Sequence, residues 1–446
     1  MAGVVDRRPQ LNKKIAIVGA GYAGMAAAVA LIDAGHDVTV FETSRVLGGR
    51  ARKVESDLGT VDNGQHILIG AYRDTLALMR KVGADVDHAL LRLPLTLSYP
   101  GFHIRAPRLP APLHLAFALL TAHGLTWGEK LAAIRFMQWL KQRSFRLDND
   151  CTVNALLDAH TQPQAVRLYL WEPLCIGALN TPAETASAQV FAHVLRDSLA
   201  ADREASDLLI PRVNLSAMLA EPAARYIEAY GGKVKLGSAV GTIQRSNDGY
   251  RLDIDPEAEY SHVIAAVAPY HLPRLLTELP ELADLRAQLE ALAWEPIVTC
   301  YLRYPAGTRL PQPMLGMTDG NAHWFFDRGQ LDDSSDQNDG LIAAVTSARG
   351  RHQTLSKEAL TAAIDAELRT LHPQLPAPLS SQIITEKRAT FACTPNLHRP
   401  GTQTALPGLL LAGDYVASDY PATIEGAVRS GMRAARAIST PSTPQA

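Results

Sequence analysis

The sequence predicts an α/β protein in which the chain visits one parallel sheet three times and makes two long excursions into a second, α+β domain. Three observations predict it. A strand, glycine turn, helix and strand open the chain between Lys14 and Glu42. Short β-branched runs return between 205 and 270, and an apolar run ending in Gly-Asp precedes a helix after 401. The implied boundaries are 1–71, 205–270 and 401–440 for the first domain, and 72–204 and 271–400 for the second.

The elements follow in order. Lys14 to Val18 is a short apolar strand, GAGYAG a tight turn, and MAAAVALIDAG a helix that stops at Gly35, a natural C′ residue. HDVTVFE is a second strand. From Tyr72 to Leu199 the pattern is mainly helical, interrupted by the proline-rich PGFHIRAPRLPAPLH. KVKLGSAVGTIQ, GYRLDI and HVIAAVA read as strands separated by Gly, Asn and Asp. Residues 271–400 are mixed. LPGLLLAGDY is then a strand, TIEGAVRSGMRAARAI a helix, and the Ser/Thr/Pro tail after Ile438 is expected to fray.

Bulk composition narrows the function. The 446 residues are 47% hydrophobic and 20% charged, a globular profile with material for more than one core. A formal charge of −2 without a basic concentration argues against a nucleic-acid partner. Cys151, Cys175, Cys300 and Cys393 are far apart, so neither a disulfide framework nor a zinc site is expected, and no metal is assigned. MAGVVDRRPQLNKK lacks the apolar core of a signal peptide, and no apolar run is long enough to span a bilayer; the expected compartment is the cytoplasm.

Gly19, Gly21 and Gly24 have the GxGxxG spacing. The first permits the turn, the second lets backbone approach a pyrophosphate, and the third allows close helix–strand packing. The diphosphate would rest on the helix N-terminus, where free N–H groups and the dipole favour an anion. Glu42, at the end of the second strand, is placed to accept from ribose hydroxyls. A glycine turn that binds nothing is the bland alternative, but strand, helix, strand and acid together make this a Rossmann-like dinucleotide site.

Two features select FAD over NAD. Gly48-Gly49-Arg50 offers a second close backbone approach and a cation for the diphosphate. Asp414, after the closing strand, is placed for ribityl hydroxyls, which NAD lacks. The helix opening at Ala422-Thr423-Ile424 would aim its N–H groups at the flavin edge that gathers charge on reduction. No second GxGxxG is visible, so electrons would be exchanged with an outside carrier.

GAGYAGMAAAVAL…FE…GGRA, DNGQHILIGAY and LLLAGDY…YPATIEGAVRSG together resemble the hydroxysqualene dehydroxylases, squalene-associated members of the amine oxidase and phytoene desaturase superfamily. The resemblance spans essentially the whole chain. It implies the superfamily's Rossmann-like FAD-binding domain with an inserted α+β substrate domain. It also implies that Gly19, Gly21, Gly24, Glu42, Gly49 and Arg50 hold the ADP half, that Val240 contacts adenine through its backbone, and that Asp414 and Ile424 meet the ribityl chain and flavin ring. Many relatives carry Arg two residues after the acid; here that position is Ser44.

The same resemblance places DNGQHILIGAY beneath the flavin, with Gly64 allowing close passage and Asp62, Asn63, Gln65 and His66 as polar groups beside it. The implied reaction is reduction of the C30 alcohol hydroxysqualene to squalene with loss of water, in squalene and hopanoid biosynthesis. Hydroxide leaves poorly, so a proton donor should assist; Asp62 or His66 is the candidate, with Tyr420 in reserve. An Asx-turn at Asp62-Asn63 and a structural His66 remain open. So do a carotenoid-type desaturase, a carotene isomerase and a non-catalytic FAD-bound partner.

An oily substrate suggests peripheral contact with the inner face of the cytoplasmic membrane through the region 110–146. There Ile134, Phe136, Met137, Trp139 and Leu140 alternate with Lys130, Arg135, Lys141, Arg143 and Arg146. A helix capping the substrate domain, with a merely solvated basic face, is the alternative.

Overall fold

The computed structural model describes residues 12–332 and 336–439. The N-terminal stretch through Leu11 and the tail from Thr440, where the leader and fraying expectations fall, lie outside the described residues.

Five parallel strands form the first sheet: β1 (Lys14–Val18), β2 (Asp37–Glu42), β3 (Lys233–Leu236), β4 (His262–Ala265) and β5 (Leu409–Leu411), in the order β3-β2-β1-β4-β5. The first, middle and last thirds of the chain therefore share one sheet. β1 is apolar and buried from its second residue because helices cover both faces of a parallel sheet. Helix α1 (Tyr22–Asp33) is almost entirely buried and rich in alanine. It packs on the final helix, Ile424–Ser439, so closely that a Cβ on Gly431 would lie 2.0 Å from the Ala23 carbonyl oxygen.

A second sheet of five antiparallel strands has the order Met314–Gly316, Trp324–Asp327, Leu341–Ser347, Trp294–Arg303 and Ser380–Phe391. Alternation along Trp294–Arg303 sorts its side chains. Val298, Cys300 and Leu302 pack beneath the helix Lys357–Leu371, while Thr299 and Tyr301 point to the opposite face.

Three strands lie in the stretch read as mainly helical. Leu90–Leu93 joins Leu68–Ile69 and Leu208–Pro211 in a small sheet, and Thr96–Tyr99 pairs with Phe102–Arg105. The Pro100-Gly101 pair read as an interruption is the turn of that hairpin, which is what these residues do between alternating apolar runs. KVKLGSAVGTIQ also divides. Lys233–Leu236 belongs to the parallel sheet, whereas Ile243–Arg245 begins an antiparallel one with Tyr250–Leu252 and Asp255–Tyr260, and Val240 lies in the connection. Among the described residues no helix is long and apolar enough to cross a membrane.

Candidate active site

The glycine turn is fixed by close backbone contacts. Gly19 has φ +109°, and its N–H donates to the Phe41 carbonyl at 2.8 Å. A Cβ on Gly24 would sit 2.0 Å from the Gly19 carbonyl oxygen, so no side chain fits there. Gly21 bridges Gly48, and a Cβ on Gly49 would come within 3.1 Å of the Gly21 Cα. The start of α1 carries no side-chain cap, leaving its first N–H groups facing this backbone cradle. The Glu42 carboxylate is oriented by the Ala20 and Ser44 amides, both at 2.8 Å. Ser44 thus contributes to this site through its backbone amide. Ser238 N–H donates to the Glu42 carbonyl at 2.8 Å, which moors the connection carrying Val240 to the end of β2.

The two ends of the chain meet at Arg50. Its guanidinium reaches Asp414, just after β5, at 2.6 Å and the Ala389 carbonyl at 2.6 Å. Asp414 is nearly buried. The final helix begins at Ile424, and Thr423 caps it: its hydroxyl accepts from Gly426 N–H at 3.0 Å. The first-turn N–H groups have no acceptor within the helix.

The segment beginning at Asp62 lies across the inner face of the antiparallel sheet. Tyr301 donates to the Asp62 carbonyl at 2.9 Å, and a Cβ on Gly64 would meet only Thr299 Oγ1, at 3.6 Å. Asn63 donates from Nδ2 to Glu386 Oε2 and to the Arg50 carbonyl, each at 3.2 Å, tying this segment to the cradle. Gln65 accepts from the buried Arg328 at 3.2 Å. The Asp62 carboxylate accepts Leu215 N–H at 2.8 Å through Oδ1 and lines a polar cleft of about 240 Å³ with Asn214, Tyr301 and Arg328. His66 Nδ1 lies 2.7 Å from the Gly64 carbonyl, so the proton sits on Nδ1 and Nε2 carries the lone pair.

Burial moves the two acids in opposite directions. Desolvation raises the Asp62 carboxyl to about 6, against the opposing pull of Arg328 and the Leu215 amide. Desolvation lowers His66, outweighing its bond to Gly64. Tyr420 is pushed well up, first by burial and then by Asp197, while the Arg429 guanidinium stands 4.7 Å from its ring centre. These three candidates occupy separate neighbourhoods; among the described residues no hydrogen bond or ion pair joins any two of them.

Sequence reading missed Thr299, Tyr301, Arg328 and Glu386. No local motif marks them, because each is brought in by a strand of the second sheet or, for Arg328, by the short helix Arg328–Leu331 that follows one. The Thr299 hydroxyl is buried without a partner beside the space over Gly64, so the floor offers one unused polar group to a bound ring system. A glycine-lined cradle, an uncapped helix start, two oriented acids and this hydroxyl fit a flavin nucleotide.

The region 110–146 forms two helices, α2 (Leu113–Thr121) and α3 (Trp127–Gln142). Its exposed apolar groups are not those expected. Phe136 and Leu140 are buried, Ile134, Met137 and Trp139 partly so, and the Lys130 amine is drawn in to the Leu120 carbonyl at 2.8 Å. Instead Leu113 (57% exposed), Phe117 (50%) and Leu120 (39%) form one stripe of α2, continued by Trp127 (66%) and Leu131 (46%).

Fold and site together define a flavin-dependent oxidoreductase. The family of flavin containing amine oxidoreductases matches residues 22–439. Relatives named hydroxysqualene dehydroxylase match at 28–30% identity; that of Rhodopseudomonas palustris is 30% identical, covering 95% of this chain and 98% of its own. A zeta-carotene desaturase of Synechocystis sp. is 26% identical over 95% of this chain and 97% of its own. The crystal structure of cyclohexylamine oxidase from Brevibacterium oxydans superposes with a TM-score of 0.67 at 20% identity, covering 96% of this chain and 99% of that one, which shows a common fold. The chain belongs to the flavin containing amine oxidoreductase family and, within it, to the hydroxysqualene dehydroxylases.

Proposed function

We propose that this protein reduces hydroxysqualene to squalene with loss of water, using FAD. The observation that supports the substrate is likeness to hydroxysqualene dehydroxylases along nearly the full length of both chains, closer than to the carotene desaturase. FAD is favoured because the chain offers two sets of groups: a glycine cradle with Glu42 for an adenosine diphosphate, and Asp414 beyond it for a ribityl chain. Gly19, Gly21, Gly24, Glu42, Gly49, Arg50 and Val240 would hold the first half. Asp414, the Ile424 N–H and the clearance at Gly64 would hold the second. When bound and reduced, the flavin supplies hydride to carbon.

The chain's own residues supply the proton. An allylic hydroxyl departs far more readily once protonated. Asp62, whose burial lets it retain a proton near neutrality, is assigned as the donor, its carboxyl held in place through Oδ1 by Leu215 N–H. His66 is the second candidate; it would have to donate as the imidazolium, the form that burial disfavours, and Tyr420 stays in reserve. The apolar stripe on α2 and the start of α3 is proposed to rest on the cytoplasmic face of the membrane, where the substrate dissolves, with Arg108 and Arg135 beside it for anionic headgroups. Electrons would come from an outside carrier.

Anaerobic mixing of photoreduced holoprotein with hydroxysqualene tests the reaction. Flavin reoxidation with formation of squalene is expected; product without lasting flavin change would indicate an isomerase, and no change at all would remove the proposal. Flotation with anionic liposomes tests docking, with Phe117→Asp and Leu113→Asp expected to shift protein to the soluble fraction. Wild-type protein that never floats would contradict it.

A further inference from the structure

Glu425 is the second residue of the final helix and is fully buried, yet both of its oxygens are occupied. Oε1 accepts from Asp74 N–H at 3.1 Å and Arg429 Nε at 2.9 Å. Oε2 accepts from Thr75 N–H at 2.9 Å and Thr75 Oγ1 at 2.7 Å. Asp74 and Thr75 open the helix Arg73–Lys81, which directly continues the segment Asp62–Tyr72. One carboxylate therefore joins the start of the final helix to the end of the polar segment, the two stretches read as lying at the edge of the flavin ring and beneath it.

The charge has a second consequence. A carboxylate in the first turn sits at the positive end of its own helix dipole and reduces the field that end presents to a bound group. Here two N–H groups of a neighbouring helix start, a threonine hydroxyl and a guanidinium absorb that charge. Arg429 also pairs with Asp74 at 2.7 Å and covers the Tyr420 ring, so the balancing cation is itself held in place.

We propose that Glu425 is a positioning residue of the flavin site, and that its charge, balanced by Arg429, sets how easily the flavin is reduced. The proposal rests on the reading of Ile424 as flavin-facing. Asp74, Glu425 and Arg429 together carry one net negative charge; neutralising Glu425 cancels it and favours reduced flavin, whereas removing Arg429 doubles it and disfavours reduced flavin. A residue that merely holds the fold would give no such pair of opposite signs.

The test is anaerobic equilibration of holoprotein with a redox dye of known potential. Glu425→Gln should raise the ratio of reduced to oxidised flavin about tenfold at fixed potential, ~30 mV for a two-electron couple. Arg429→Leu should lower it by a similar factor, and Arg429→Lys should leave it near the wild-type value. Shifts of equal sign in Glu425→Gln and Arg429→Leu, or no shift in either with flavin still bound, would overturn the proposal. If Glu425→Gln does not accumulate as holoprotein, the two Arg429 variants decide, since that side chain is partly exposed. Wild-type protein that binds no flavin would instead remove the cofactor reading.

Discussion

The glycine cradle and the polar segment starting at Asp62 are neighbours in the chain but are held in opposite ways. Within the cradle, Ala20 reaches Glu42 across 22 residues, and Gly19 pairs with Phe41. In the polar segment Asp62 is held by Leu215 and Tyr301, 153 and 239 residues away, Gln65 by Arg328 at 263 and Asn63 by Glu386 at 323. The first is a local structure that a short sequence encodes; the second takes shape only when the antiparallel sheet is assembled beneath it.

That difference orders the expected effects of substitution. The largest belongs to the cradle. Gly24→Ala places a methyl group against a backbone carbonyl that cannot yield, and protein purified from this variant should carry no flavin. Normal flavin content would mean that the turn is looser than its contacts imply.

Next comes the polar segment, where loss of function should leave cofactor content unchanged. Asp62→Asn is expected to lower turnover by roughly two to four orders of magnitude, the usual cost of a lost general acid, with FAD still bound. His66→Ala should cost about tenfold or less, because burial already disfavours its charged form. Near wild-type turnover in both variants would make this segment structural.

The same carboxyl carries a pH signature. Its pKa is raised from 3.8 unfolded to about 6 folded, so its contribution to stability is fully present below the unfolded value and is lost as pH rises through about 6. The loss amounts to roughly 3 kcal/mol. Denaturant titrations at acid and neutral pH should show the stability of Asp62→Asn, relative to wild type, improving by about that amount across this window. An unchanged difference would place the Asp62 pKa near its ordinary value.

The smallest effect tests the join between the two regions. Asp414→Ala removes the partner of Arg50 and one proposed ribityl contact. FAD should bind about tenfold more weakly, near 1.4 kcal/mol. A variant with unaltered FAD affinity would show that the two chain ends meet without sharing the cofactor.

Legibility followed the same division. Strand, glycine turn, helix and Glu42 could be read directly, because their chemistry is written in consecutive residues. So could Asp414 and the final helix, since an apolar strand ending in Gly-Asp is distinctive. The floor under Gly64 could not: Thr299, Tyr301 and Glu386 are ordinary strand residues until register places them. The hairpin Thr96–Tyr99 and Phe102–Arg105 is hidden because Pro100 and Gly101 read as a break rather than as its turn, and Leu90–Leu93 because its partner strand lies more than a hundred residues away at Leu208–Pro211. In the region 110–146, composition showed apolar and basic residues together but not which of them face outward. Packing of Phe136 and Leu140 moved the exposed stripe to α2.

The most direct measurement is of the bound chromophore. Denaturing release from purified protein, followed by titration of the stripped chain, should yield one FAD per polypeptide and restore binding at the same stoichiometry. Folded protein that is colourless, or that takes up no FAD when it is supplied, would contradict the account that both ends of this chain close on a single flavin.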